Sequence, residues 1–208
     1  QVRGAARRGR EGGDAEARSH YCRHMSVTGP RERKIPEGDD RERLLCPDCG
    51  YVAYENPKMV VGAVVAHESK ILLCRRAIPP RTGYWTLPAG FLELGETPEE
   101  GARREAWEEA RAHLELTGLL AVYSVTRISQ VQLIYRARLA APGYGAGPES
   151  EAVQLFPWDE LPWDALAFPT VRWALQRYRE VGPEGPVVPV GNPGGASARM
   201  PELEVKSE

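Results

Sequence analysis

An α/β sandwich is the fold class this sequence predicts, and three observations carry the prediction. Residues 59–66, Met-Val-Val-Gly-Ala-Val-Val-Ala, form a β-branched run of strand length. Residues 98–112 and 168–181 instead carry helical spacing, the second with Val171, Leu175 and Tyr178 on one side. Shorter strand-like runs separate and flank these two helices. Strands interleaved with helices build layered domains rather than all-helical or all-β ones.

The elements follow in order. Residues 1–19 read as a disordered tail, in which Arg3, Arg7, Arg8, Arg10 and Arg18 alternate with Glu11, Asp14 and Glu16. No apolar stretch of the signal-peptide kind accompanies them, and transit peptides are poor in acids. The expected location is therefore cytoplasmic, with a plastid address as the alternative reading of the arginines. Residues 20–56 are short, polar and turn-rich, with cysteines at 22, 46 and 49, and form a first small segment. Residues 57–181 have the texture of one packed domain. After the run at 59–66 come a turn near Glu68-Ser69, strands at 70–74 and 84–87, the first helix, strands at 114–124, 131–139 and 152–156, and the second helix. Residues 141–147 read as a flexible loop with three glycines, and residues 182–208 as a Pro/Gly-rich disordered tail.

Composition narrows the function. At 208 residues and 42% hydrophobic the chain can bury one good core. A net charge of −2 gives no general attraction to nucleic acid. The apolar runs are too short to span a bilayer, so neither a nucleic-acid nor a membrane partner is expected. Cys22, Cys46, Cys49 and Cys74 are too few for a disulfide scaffold. Cys46-Pro-Asp-Cys49-Gly50 has the shape of a zinc knuckle, which fits a reducing compartment.

The first helix carries the chemistry. Thr97 can cap it, Pro98 occupies its first position, and Glu100 falls three residues after the cap. Glu105, Glu108 and Glu109 then lie within an arc of about 100° on one face. Like charges so placed repel, unless a divalent cation sits among them. Hard carboxylate oxygens suit Mg²⁺ or Mn²⁺, which also accept phosphate oxygens. Taken alone, the run reads first as a solvated glutamate-rich face.

The surrounding spacing goes further. Gly90, five residues, Glu96, seven residues, then Arg104-Glu105-Ala-Trp-Glu108-Glu109 resembles the Nudix box, and the Trp85-Thr-Leu-Pro-Ala-Gly90-Phe-Leu-Glu93 approach is similar to the strand and turn that enter it. The resemblance implies an α/β/α sandwich with a mixed sheet, and an enzyme that cuts a pyrophosphate bond. It implies Glu105, Glu108 and Glu109 as metal ligands, Gly90 as a backbone-carbonyl ligand, and Glu96 with Arg104 as a charged pair holding the loop to the helix. It offers two general bases, Glu105 itself or an acid from a later loop, here Glu149 or Glu151. Family members similar to this chain usually place a second glutamate at the position of Ala152. One position departs from the pattern: Arg111 stands where the family has a glycine ending the helix, at an expected cost on the order of 1 kcal/mol or a shifted helix end.

Outside the box, Ile35-Pro-Glu-Gly-Asp39, Cys46-Pro-Asp-Cys-Gly50, Tyr54-Glu-Asn-Pro-Lys-Met-Val-Val-Gly62, Leu73-Cys-Arg-Arg76 and Gly147-Pro-Glu-Ser150 resemble a plant and bacterial Nudix branch with an N-terminal zinc ribbon. That resemblance implies FAD or ADP-ribose as substrate, with AMP released. NADH-cleaving relatives carry a Ser-Gln-Pro-Trp-Pro-Phe-Pro run after the box, and none follows Ala112 here. A broader nucleotide housecleaning hydrolase and a non-catalytic nucleotide sensor are the competing readings. Tyr84, Phe91 and Tyr123 are candidates for stacking a base or flavin, and Arg75, Arg76 and Arg127 for phosphate contacts; each also reads as packing or surface charge. The branch has two Cys-x-x-Cys pairs, whereas here Cys22 is followed three residues later by Met25, a poor zinc ligand. Cys22, Cys46 and Cys49, with His20 or His24 as a fourth donor, are the structural zinc candidates, against a degenerate ribbon held by packing alone. By analogy with the family, a homodimer is expected.

Overall fold

The computed structural model describes residues 29–194, which divide into two units after Asn56. The expected tail at 1–19 and the candidates Cys22, His20 and His24 lie outside the described residues.

In the first unit, β1 (Glu32–Lys34), β2 (Arg43–Leu45) and β3 (Val52–Ala53) form an antiparallel sheet in that order. The β2–β3 turn carries both cysteines. The Cys46 N–H donates to Tyr51 O at 2.8 Å, and the Gly50 N–H donates to Cys46 O at 2.9 Å. Gly50 sits at φ +73°, a left-handed conformation that explains the glycine closing the knuckle.

The second unit is an α/β/α sandwich on a mixed sheet. Its strands are β4 (Lys58–His67), β5 (Lys70–Arg76), β6 (Trp85–Thr86), β7 (Ala89–Phe91), β8 (Leu114–Val125), β9 (Gln130–Leu139) and β10 (Ser150–Pro157); its helices are α1 (Pro98–Ala110) and α2 (Pro169–Val181). The main order is β10-β5-β4-β9-β8, with β6 beside β5 and β7 beside β4. Among the strand pairs of this sheet in the described residues, β4 and β9 are parallel and the others antiparallel. Successive residues of a strand face opposite sides. Val61, Ala63 and Val65 of β4 join Leu72 and Cys74 of β5 under α1, while Val64, Ile71 and Leu73 join Val171, Leu175 and Tyr178 of α2 on the other face. Burial on both faces is why residues 59–66 are continuously apolar rather than alternating.

Three expectations change. The strand expected at 84–87 shrinks to β6, and residues 89–91, read as turn, form β7 against β4. Tyr123 is 1% exposed and packs edge-on to Trp173 of α2, with ring centroids 5.5 Å apart. It belongs to the core opposite α1, so it is withdrawn as a base-stacking candidate. The third correction concerns the tail expected from residue 182, for its described part. Val190 bridges Ala121 of β8, the Val122 N–H donates to Val190 O at 2.8 Å, and Asn192 exchanges hydrogen bonds with Ser124 at 2.8 and 2.9 Å. The buried Arg136 donates to Gly182 O at 3.0 Å and Gly185 O at 2.7 Å. Composition counts prolines and glycines; it does not count an edge strand whose amides need partners. No helix among the described residues is long and apolar enough to cross a membrane.

Candidate active site

The helix that bears the acids starts where its cap residues dictate. Thr97 Oγ1 accepts from the Glu100 N–H at 3.2 Å, and Glu100 Oε2 accepts from the Thr97 N–H at 2.8 Å, closing a capping box. Ala102, Ala106 and Ala110, spaced i, i+4, i+8, are fully buried against the sheet and let α1 lie close to it. Glu105 and Glu109, next to that stripe, are carried into the crevice between helix and sheet and are 8% and 6% exposed. Glu108 projects outward and is half-exposed.

Each buried carboxylate has a seat. A Cβ added at Gly90 of β7 would stand 2.3 Å from Glu105 Cδ, so only glycine leaves room for that carboxylate. Glu109 Oε2 accepts from the Ala89 N–H at 3.0 Å. Arg104 ties the set together. Its Nε and Nη2 donate to the two oxygens of Glu96 at 3.0 and 2.7 Å, its Nη2 also to Phe91 O at 2.9 Å, and its Nη1 to Glu105 at 2.8 Å and Glu108 at 3.0 Å. The loop 91–96 is thereby fastened to α1, with the Glu93 N–H also donating to Glu96 Oε1 at 2.7 Å.

The electrostatics are those of a site short of positive charge. Burial pushes the Glu109 carboxyl up to about 7, against the Ala89 N–H that lowers it, and the nearby charges of Glu105 and Glu149 add to the rise. Burial also raises Glu105, offset by its bonds to Arg104. Glu96 behaves oppositely: its hydrogen bonds from Arg104, then from the Glu93 N–H, hold it down to about 2.

The later acid loop is attached to the same helix. The Gly145 N–H donates to Ala110 O at 2.8 Å and the Gly147 N–H to Glu109 O at 3.0 Å. A Cβ at Gly147 would stand 1.6 Å from Glu108 O. Arg111 ends the helix at φ 49°, adopting the left-handed conformation itself, with its guanidinium 5.5 Å over the Trp107 ring. The helix ends at Ala110, short of the expected 112, and Arg111 itself takes the left-handed conformation expected of a glycine. Glu149 is exposed at the start of β10, close enough for its charge to act on Glu105 and Glu109. Glu151 is engaged by Arg75 at 3.3 Å.

The remaining candidates divide. Phe91 is 47% exposed beside the Arg104 cluster, with Lys58 Nζ 5.4 Å from its ring centroid. Tyr84 is half-buried on the β5–β6 loop with the Arg81 guanidinium 5.0 Å over its ring. Arg75 Nε donates to Gly83 O at 3.0 Å. Sequence reasoning passed over Arg81 and the contact of Gly147 with α1. The second had a signal, a glycine flanking the acid loop; the first had none beyond its charge.

Among the described residues, no three acidic, histidine or cysteine side chains converge closely enough to hold an ion as they stand. The Arg104 guanidinium, bonded to both Glu105 and Glu108, accounts for the spacing of those two. The donor chemistry nevertheless fits a hard divalent cation: Glu105, Glu108 and Glu109 are hard oxygens on adjacent turns, two of them destabilised as anions by burial. In the first unit, Cys46 is buried and Cys49 half-buried on the knuckle, which is half of a tetrahedral zinc set.

Comparison with known proteins agrees with this geometry. The family model described as NUDIX domain matches residues 56–175, and that described as Nudix N-terminal, a zinc-ribbon type, matches residues 21–55. A solved NUDIX hydrolase from Nitrosomonas europaea is 45% identical, covers 80% of this chain and 96% of its own, and superposes with a TM-score of 0.74. A MutT-like protein of Streptomyces ambofaciens is 39% identical over 49% of this chain, which spans 64% of that relative. An ADP-ribose pyrophosphatase of Methanocaldococcus jannaschii is 32% identical over 57% of this chain and 71% of its own. An NAD-capped RNA hydrolase of Haemophilus influenzae is 31% identical over 44% of this chain and 35% of its own.

Proposed function

The chain belongs to the Nudix hydrolase family, and from that premise we propose that it hydrolyses the pyrophosphate bond of FAD or ADP-ribose, releasing AMP. The observation that carries the reading is the acid face of α1, with Glu105 seated on Gly90 and Glu109 on the Ala89 N–H. Glu105, Glu108, Glu109 and the Gly90 carbonyl are the groups that would hold Mg²⁺ or Mn²⁺. A bound divalent cation supplies neutralisation of the diphosphate and activation of water. The chain supplies the rest. Glu96 and Arg104 fix the loop and the carboxylates in place. Glu105 Oε1 or Oε2 takes the proton of the attacking water, a role its burial in the crevice between α1 and the sheet favours. Glu149 is the second acid within electrostatic reach and the alternative base. Positioning and charge do most of the work in such a phosphoryl transfer.

The adenosine diphosphate end of the substrate is supported by the relative named ADP-ribose pyrophosphatase, and the FAD reading by the flanking motifs Ile35–Asp39 and Gly147–Ser150. The relatives named NAD-capped RNA hydrolase favour a second reading, a dinucleotide hydrolase that accepts NAD-type ends. The structural zinc of the first unit is part of the same proposal, with Cys46 and Cys49 as two of its ligands.

The test is a panel of FAD, ADP-ribose, NADH and nucleoside diphosphate sugars with the purified chain in Mg²⁺ or Mn²⁺. AMP release from FAD or ADP-ribose is expected, and a panel left wholly uncut sinks the reading. Glu108→Gln is expected to lower turnover at least ~100-fold; an unchanged rate removes Glu108 from the site. Metal analysis by mass spectrometry is expected to find about one zinc per chain, and a value near zero leaves the ribbon metal-free.

A further inference from the structure

The loop joining β5 to β6 carries more positive charge than its own fold uses. Arg75 is committed to Gly83 O and Glu151. Arg76 Nε donates to Pro80 O at 2.8 Å, and its guanidinium lies 5.3 Å over the Phe168 ring. The Arg81 carbonyl accepts from the Tyr84 N–H at 3.2 Å, but its guanidinium makes no hydrogen bond or ion pair with any described residue, and its Nε is buried without a partner. Arg177 Nε is also unpartnered, but its other nitrogens donate to Glu180 and to Val188 O, so that guanidinium is tied into the fold. Among the described residues the Arg81 guanidinium has the Tyr84 ring as its neighbour, 5.0 Å away, on a backbone at φ 63°, a conformation uncommon outside glycine. A buried donor left unpaired is destabilising, and an arginine held this way is set up to meet an acceptor that is not part of the chain.

The loop borders the acid site. The Arg76 N–H donates to Tyr84 O at 2.9 Å, closing the loop on itself, and the Ala77 N–H donates to Glu149 O at 2.9 Å, joining it to the acid loop. The charge of Arg76 is felt at Glu109. A loop with a surplus cation thus adjoins a crevice with surplus carboxylates. The surplus cation suits an anion bound beside the crevice, and the carboxylates suit the divalent cation that accompanies it: a diphosphate whose reacting end lies toward α1 and whose other phosphate faces the loop meets the first need.

Resting on the pyrophosphatase reading above, we propose that Arg81 is a substrate-binding residue that takes a phosphate oxygen of the nucleotide, and that Tyr84 is its positioning residue. This gives Tyr84 a different task from base stacking, since Arg81 covers one face of its ring.

The test compares wild type, Arg81→Gln, Arg81→Lys and Tyr84→Leu with whichever panel substrate is cut. Arg81→Gln is expected to raise KM ~10- to 100-fold with kcat within ~3-fold, because a charge-assisted bond made in both ground and transition states is lost. Arg81→Lys is expected to recover part of that loss, and Tyr84→Leu to raise KM less than Arg81→Gln does. Calorimetric titration with AMP in EDTA, where no metal contributes, is expected to show the same ordering of affinities. An Arg81→Gln enzyme with unchanged KM overturns the proposal and leaves the hydrolase reading standing, as does one that loses kcat alone. If the wild type cuts nothing, the hydrolase reading falls and AMP titration still judges Arg81. A wild type that neither cuts a diphosphate nor binds AMP overturns both.

Discussion

One methyl group added at residue 90 would stand 2.3 Å from Glu105 Cδ, and one at residue 147 would stand 1.6 Å from the carbonyl oxygen of Glu108. The first obstacle is the end of a side chain, which can swing away. The second is helix backbone, which cannot. Gly90→Ala is therefore expected to keep its melting temperature within about 3 °C while turnover falls at least ~100-fold. Gly147→Ala is expected to lose about 1–3 kcal/mol of stability as the helix end or the loop gives way. Calorimetry and kinetics on the pair separate the two, and equal melting losses would count against this account. Acid supplies another residue-level measurement. Arg104 holds Glu96 in its ionised form down to about 2, below an unfolded carboxylate. Stability from that pair is present above roughly pH 4.3 and is lost as pH falls from there through the folded value. An NMR titration of the Glu96 carboxyl carbon is expected to find a midpoint near 2, and Glu96→Gln to flatten the acid limb of the stability curve. A midpoint near 4.3 would mean the pair is open in solution. The resemblance implied Gly90 and Glu96 as site residues; it could not show that Gly90 is the seat of Glu105, which depends on β7 pairing with β4.

The elements were readable where the cause is local. Thr97, Pro98 and Glu100 predict the start of α1, and the capping box is there. Thr97→Ala is expected to cost about 1 kcal/mol, read as a lower denaturant midpoint at unchanged slope. A change under a few tenths would mean that packing of the alanine stripe alone fixes the helix start. Arg111 shows the opposite end behaving as local rules demand, taking the left-handed conformation at φ 49° with Trp107 beneath its guanidinium. Non-local causes were not readable. β7 is three residues long and exists because β4, thirty residues earlier in the chain, offers it an edge. Tyr123 is the clearest case. β8 shifts register twice, between Leu116 and Gly118 and between Leu119 and Ala121. Each shift breaks simple alternation, so counting by twos along β8 does not tell which face a late residue takes.

The sheet of the second unit is covered along one edge by the unit's own chain. β8 is an edge strand, and residues 187–192 lie along it. Ending the chain at Pro183 is expected to lower the melting temperature by several degrees and to produce self-association that rises with concentration, as the edge finds another copy. Sedimentation unchanged from that of the full chain, with an unchanged melting point, would make the strap ornamental. Composition could not have revealed this contact, because the edge that receives the strap lies more than sixty residues earlier. The other long loop has a subtler consequence. Gly145 and Gly147 hydrogen-bond to the last carbonyls of the helix that bears Glu105, Glu108 and Glu109, and the same loop leads into Glu149. The two acid sets, far apart in sequence, are therefore expected to fray together. In native-state hydrogen exchange the amides of Arg111, Gly145 and Gly147 are expected to share one opening free energy, because their acceptors are neighbouring carbonyls of one helix end; Gly145 and Gly147 exchanging well before Arg111 would mean that the loop lifts off an intact helix.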